Sequence, residues 1–216
     1  MERGIISISG VDGSGKSTIA HLLMRLLRRY GIRFEVVWFR WRALTLYALY
    51  LYSRFRGLYV RVYVPWLKRW IGVHIFYVDA VARHLYPYLL FIDLTIFYLL
   101  HRLLWWVRGV KIVIFDRFYL DALIDAMYTC RCVNRGFLRL FLAMQSKVTR
   151  AIVLDVDAAT AINRKKDIIS RREVKTKRKL YIILAKSLNI PIIDARQSLP
   201  QVMNDVCKAI NLSCQT

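Results

Sequence analysis

Nine residues constrain this chain more than any others: Gly10-Val-Asp-Gly-Ser-Gly-Lys-Ser-Thr18. They satisfy the pattern G-x-x-x-x-G-K-[ST], whose physical meaning depends on its flanks. Before it, residues 4–9 (Gly-Ile-Ile-Ser-Ile-Ser) read as a short buried strand. After it, Ile19, Leu22, Leu23, Leu26 and Leu27 recur at helical spacing as far as Tyr30. Arg25, Arg28 and Arg29 lie toward the helix end that favours cations, and Gly31 is a natural stop. A strand, a glycine loop and a helix start bring main-chain amides around an anion. The glycines keep side chains out of the way. Gly10, Asp12, Gly13, Ser14, Gly15, Lys16, Ser17 and Thr18 are the expected cradle. In it Lys16 reaches the outer phosphates of a nucleoside triphosphate, and the Ser17 hydroxyl ligates magnesium.

Such a site needs an acidic residue ending a neighbouring apolar strand. Val113-Ile114-Phe115-Asp116 supplies one, so Asp116 is the second expected magnesium-site residue. Arg117 follows, and its planar fork suits a phosphate. Further apolar runs at 32–39, 110–115, 150–156 and 190–194 alternate with helical stretches. Together with 4–9 they predict a three-layer α/β fold: a five-stranded parallel sheet with helices on both faces, formed by one domain over 1–216. Residues 41–88 are rich in Tyr, Trp and Arg with mixed periodicity, and read as a helical lobe.

Two segments raise the question of partners. Residues 85–107 are nearly all apolar and long enough to cross a membrane. Pro87, Asp93, His101 and Arg102 interrupt them, and charge within a span is costly, so a buried core helix is expected. Between Arg164 and Lys179 there are nine cations and only Asp167 and Glu173 to oppose them. A basic lid at 164–179 closing on the nucleotide would neutralise the charge of the moving phosphoryl group. The chain's net charge of +21, from 35 Lys and Arg against 14 Asp and Glu, calls for anionic partners. Nothing in it requires nucleic acid, and contact with an anionic membrane surface is an alternative. The four cysteines, at 130, 132, 207 and 214, read as core or surface thiols. No signal peptide is visible after Met1, and a cytoplasmic site is expected.

In order, Gly10–Thr18, Asp116-Arg117-Phe118, Leu154-Asp155-Val156-Asp157 with Arg164, and the basic segment leading to Tyr181 and Ile192-Ile193-Asp194-Ala195 resemble the thymidylate kinase family of nucleoside monophosphate kinases. The resemblance covers about two thirds of the chain and leaves 41–88 largely unmatched. It implies an ATP- and Mg2+-dependent kinase that moves a phosphoryl group onto a small-molecule acceptor, with dTMP the default, and a homodimer. It implies that Asp12 touches the acceptor sugar, that Arg40 and Arg117 hold its phosphate, that the helix around Asp93 borders it, and that Arg164 lies near the adenine of ATP. Gly13 stands where some members carry a catalytic arginine, so Arg171 and Arg172 of the lid are the expected replacements. The family's Asp-Arg pair for thymidylate falls at Leu94 and Thr95 here, without the arginine. Asp121 and Asp125 also depart from its pattern. The alternative is a nucleotide-binding module working at a membrane or on nucleic acid, or a kinase of a non-nucleotide acceptor.

Overall fold

The computed structural model describes residues 4–39, 43–166, 168 and 170–212. Five strands form the main sheet: β1 (Gly4–Gly10), β2 (Phe34–Trp38), β5 (Ile112–Asp116), β6 (Arg150–Asp155) and β7 (Ile192–Asp194). All neighbours are parallel, in the order β2-β5-β1-β6-β7. This is the expected five-stranded α/β sheet.

Alternation along the strands builds both faces. Ile6, Ile8, Ile112 and Ile114 pack with Ile19, Leu23 and Leu27 of α1 (Lys16–Arg29) and with Val202 and Val206 of α8 (Leu199–Ala209). Val113 and Phe115 point the other way, into a cluster with Leu90, Leu94 and Tyr98 of α3 (Ala80–Arg108). That cluster also takes Tyr119 and Leu123 of α4 (Tyr119–Cys130), and Phe137 and Phe141 of α5 (Arg135–Gln145). A third cluster joins Val153 to Ala161 of α6 (Ala158–Arg164) and to Val174, Tyr181 and Ala185 of α7 (Arg171–Ser187). Strand order switches sides at β1: β5 and β2 lie to one side of it and β6 and β7 to the other. In parallel α/β sheets, ligands bind at the strand ends by such a switch point.

Three expectations are corrected. The region 41–88 is not wholly helical. After α2 (Leu46–Phe55), β3 (Tyr59–Val64) and β4 (Arg69–His74) pair antiparallel as a separate ribbon. The period-two alternation of Val60, Val62 and Val64 was the available signal. The segment 85–107 lies in α3, but only one face of it is core. Leu99, Leu103 and Val107 are 55%, 60% and 69% exposed. Finally, Cys207 is disulfide-bonded, whereas Cys130 and Cys132 are free thiols.

Candidate active site

The chain turns from β1 into α1 through a glycine loop, and the local backbone explains the glycines. Gly10, Gly13 and Gly15 have φ of +146°, +82° and +92°. A Cβ at Gly13 would stand 2.4 Å from the carbonyl oxygen of Ala161, and one at Gly10 would stand 2.5 Å from that of Leu154. A side chain at position 13, such as the arginine of some thymidylate kinases, would therefore collide with α6. Gly15 caps α1 with no side-chain hydrogen bond. The free amides of the first turn then face the loop, as an anion site requires.

Lys16 is 5% exposed, and its ammonium donates to the carbonyls of Gly10 and Val11, both at 2.7 Å. Burial lowers its pKa to about 8, despite the carboxylates of Asp121, Asp12 and Asp116 nearby. The Ser17 hydroxyl donates to Asp116 at 2.5 Å. A hydroxyl and a carboxylate adjoining a phosphate cradle form a donor set of the kind magnesium takes, with waters and phosphate oxygens completing it. The chain thus fits a magnesium nucleotide, held by Ser17 and Asp116, which would neutralise the charge between the phosphates.

Arg117 adopts φ +76°, a strained conformation for a residue with a side chain, and its amide donates to the Ile8 carbonyl. That turn aims its guanidinium at Asp12, with which it pairs. Burial would raise the Asp12 pKa, but Arg117, Lys16 and Lys165 outweigh it and hold the carboxyl well below its ordinary range.

In the sequence Asp121 stands out only as a departure from a family pattern. It lies 2% exposed beneath the loop. It accepts from the Ser9 hydroxyl (2.7 Å), the Phe118 amide (3.0 Å) and the Tyr181 hydroxyl (2.7 Å). Burial raises its pKa, with Arg117 and Lys16 pulling the other way. Asp121 thus ties β1, α4 and α7 together at the loop. A carboxylate within the apolar run Tyr119–Ala126 was the available signal.

These groups surround a cavity of about 930 Å³, lined by the phosphate loop, Asp116, Arg117, Asp121 and Arg164. Trp38, Phe39, Tyr86 and Leu94 supply apolar wall, and Arg69 and Ile71 of the ribbon also face it. The Arg164 guanidinium donates to the Ala195 carbonyl at 2.9 Å. Of the basic segment, Lys165 and Lys177 join Arg164 in the lining. Lys165 reaches Asp12 at 3.3 Å. Lys177 bridges Asp125 and Glu173, both at 2.6 Å.

Arg171 and Arg172, the expected lid arginines, are exposed on the first turn of α7 and outside the lining. Asp93 is also corrected. It does not line the cavity but accepts from the amides of Leu44, Thr45 and Leu46 at 2.8–3.1 Å and from the Thr45 hydroxyl at 2.7 Å. Its carboxylate is spent on the start of α2. Arg40 lies outside the described residues.

This fold and loop define the class: an α/β P-loop protein with a nucleotide-type phosphate site. No protein-family model matches the chain, and no curated protein matches it in sequence. Among solved structures it resembles deoxyadenosine kinase from M. mycoides with bound dATP, at 17% identity and TM-score 0.53, over 96% of this chain and 99% of that one. The same kinase with the products dCMP and a flexible dCDP gives 18%, 0.50, 96% and 98%. The likeness shows the α/β P-loop fold and nothing finer.

Proposed function

We propose that the chain binds ATP with magnesium and transfers the terminal phosphoryl group, directly and in line, to a small acceptor of the nucleoside monophosphate class. One observation carries this reading. The Ser17 hydroxyl and the Asp116 carboxylate meet at 2.5 Å, beside a lysine held on the carbonyls of the glycine loop. Lys16 then neutralises the outer phosphates, while Arg117 and Asp12 lie toward the acceptor. Arg164 lies toward the base of ATP. Lys165 and Lys177 replace Arg171 and Arg172 as cations facing the transfer.

The structural relatives are named as kinases of a nucleoside, so the acceptor panel includes deoxynucleosides as well as their monophosphates. ATP consumption with each acceptor, with and without a magnesium chelator, tests the reading. Turnover is expected with magnesium only, and is expected to vanish in Lys16→Ala. Normal turnover by that variant, or failure of the wild type to bind ATP, would refute the assignment. Where an arginine would contact thymidylate, the Thr95 hydroxyl instead bonds to the Phe91 carbonyl at 2.7 Å and the Tyr119 hydroxyl at 3.0 Å. Weak dTMP binding is therefore expected by calorimetry, and tight, selective binding would contradict it. We extend the proposal to a cytoplasmic site, where ATP and nucleotide acceptors are supplied together.

The exposed face of α3 favours a partner, and the one we assign is a second copy of the chain. The exposed Leu85, Ile92, Ile96, Leu99, Leu103 and Trp106, with the half-buried Leu89 between the first two, follow each other at alternating spacings of four and three, the seam of paired helices. By length and composition alone α3 is also long and apolar enough to cross a membrane. Sedimentation of a monomer with anionic vesicles would support the membrane reading instead.

A further inference from the structure

Residues 59–74 belong to neither the main sheet nor the sequence resemblance, yet the ribbon is held at both ends. At its base, Ile75 donates to the Leu58 carbonyl and His74 pairs with the Ser53 hydroxyl at 2.7 Å. The His74 ring also packs on Tyr50, with centroids 4.7 Å apart. At its tip, the Trp66 indole N–H donates to the carbonyl of Ile168, 3.1 Å away and 102 positions on, in the segment between α6 and α7. A two-stranded ribbon is marginal by itself, so these anchors decide where it lies.

Register then decides what it shows. Val60 faces Val73, Val62 faces Ile71 and Val64 faces Arg69, all on one side of the ribbon. Tyr63 and Trp70 meet on the other at a tilt of 56°, with ring centroids 5.4 Å apart. Ile71 and Arg69 line the cavity, so the valine side looks inward. Pairing distinguishes Arg69 from the other cations there: Arg164, which also lacks a carboxylate, is held on the Ala195 carbonyl. Arg117 and Lys165 pair with Asp12, and Lys177 with Asp125 and Glu173. Among the described residues, no carboxylate pairs with Arg69.

We propose that the ribbon roofs the acceptor site and that Arg69 receives an anionic group carried by the acceptor before transfer, selecting a monophosphate over a neutral nucleoside. This rests on the kinase reading above. A guanidinium on an apolar strand face, without an acidic partner, is a strong receptor for a phosphate. The Trp66 tether makes the roof continuous with the segment carrying Lys165, so acceptor and nucleotide share one cover.

The test measures binding and turnover of deoxynucleoside monophosphates and of the parent deoxynucleosides, with ATP affinity measured separately. For Arg69→Ala we expect a rise in acceptor KM of roughly 10- to 100-fold for monophosphates. ATP affinity is expected to be unchanged. Arg69→Lys should recover part of the loss, and Trp66→Phe should raise the same KM several-fold. An unaltered monophosphate KM in Arg69→Ala overturns the proposal while leaving the kinase reading intact, and a wild-type preference for neutral nucleosides overturns the proposal and the acceptor class while leaving ATP-dependent transfer intact. A wild type that binds ATP but no monophosphate overturns it equally. Loss of ATP binding in the wild type would instead sink the kinase reading.

Discussion

Lys16 shows how a single residue couples the site to pH. Its ammonium is buried against two carbonyls, and burial brings its pKa from 10.5 to about 8. A triphosphate favours the charged form. ATP affinity should therefore fall as pH rises through 8, and binding at pH 8–9 should take up a proton. Calorimetry in buffers of different ionisation enthalpy checks this, since a buffer-independent heat would contradict it. The sign for folding is the opposite. A depressed lysine pKa means that the unfolded chain binds more protons between pH 8 and 10.5, so this group favours the empty fold as pH rises through that window. Asp121 belongs to the same scale. Asp121→Ala leaves the Ser9 and Tyr181 hydroxyls and the Phe118 amide without their acceptor, and is expected to cost about 3 kcal/mol in urea unfolding.

Among elements, α2 and the ribbon depend on side chains far away in sequence. The start of α2 has its free amides answered by Asp93 of α3, 47 to 49 positions on. Asp93→Ala should therefore destabilise the fold by about 2 kcal/mol, as loss of a cap with its donors left open, and leave acceptor affinity unchanged. Denaturation and acceptor titration together check this. If acceptor affinity fell and stability held, Asp93 would belong to the site after all. The strands β1, β2, β5, β6 and β7 were legible because a buried parallel strand is a short apolar run whatever lies beside it. The ribbon was not legible, because its aromatic and basic residues satisfy helix and strand patterns alike until the partner strand is known.

At the scale of the whole molecule, α3 leaves Leu99, Leu100, Leu103, Leu104, Trp106 and Val107 exposed in one stretch. Patches of this kind on soluble proteins mark contacts. Leu99→Asp with Leu103→Asp should convert a dimer into a monomer in light scattering, with ATP binding retained. A wild type that is monomeric at micromolar concentration would rule out the second copy. The net charge of +21 adds a long-range repulsion between copies, so association should strengthen with salt.

From the sequence alone came the phosphate loop, the Asp116 strand end and the five strand segments of a parallel sheet. Each follows from contiguous residues: glycines that permit a cradle, and apolar runs with a fixed period. Tertiary structure alone decided which charges meet. Asp121 reaches Ser9 across 112 positions, and Trp66 reaches Ile168 across 102. Lys165 and Lys177 face the cavity, whereas Arg171 and Arg172 do not. A long cation reads the same in any order of the lid, and helix phase together with packing determines which of them turns inward.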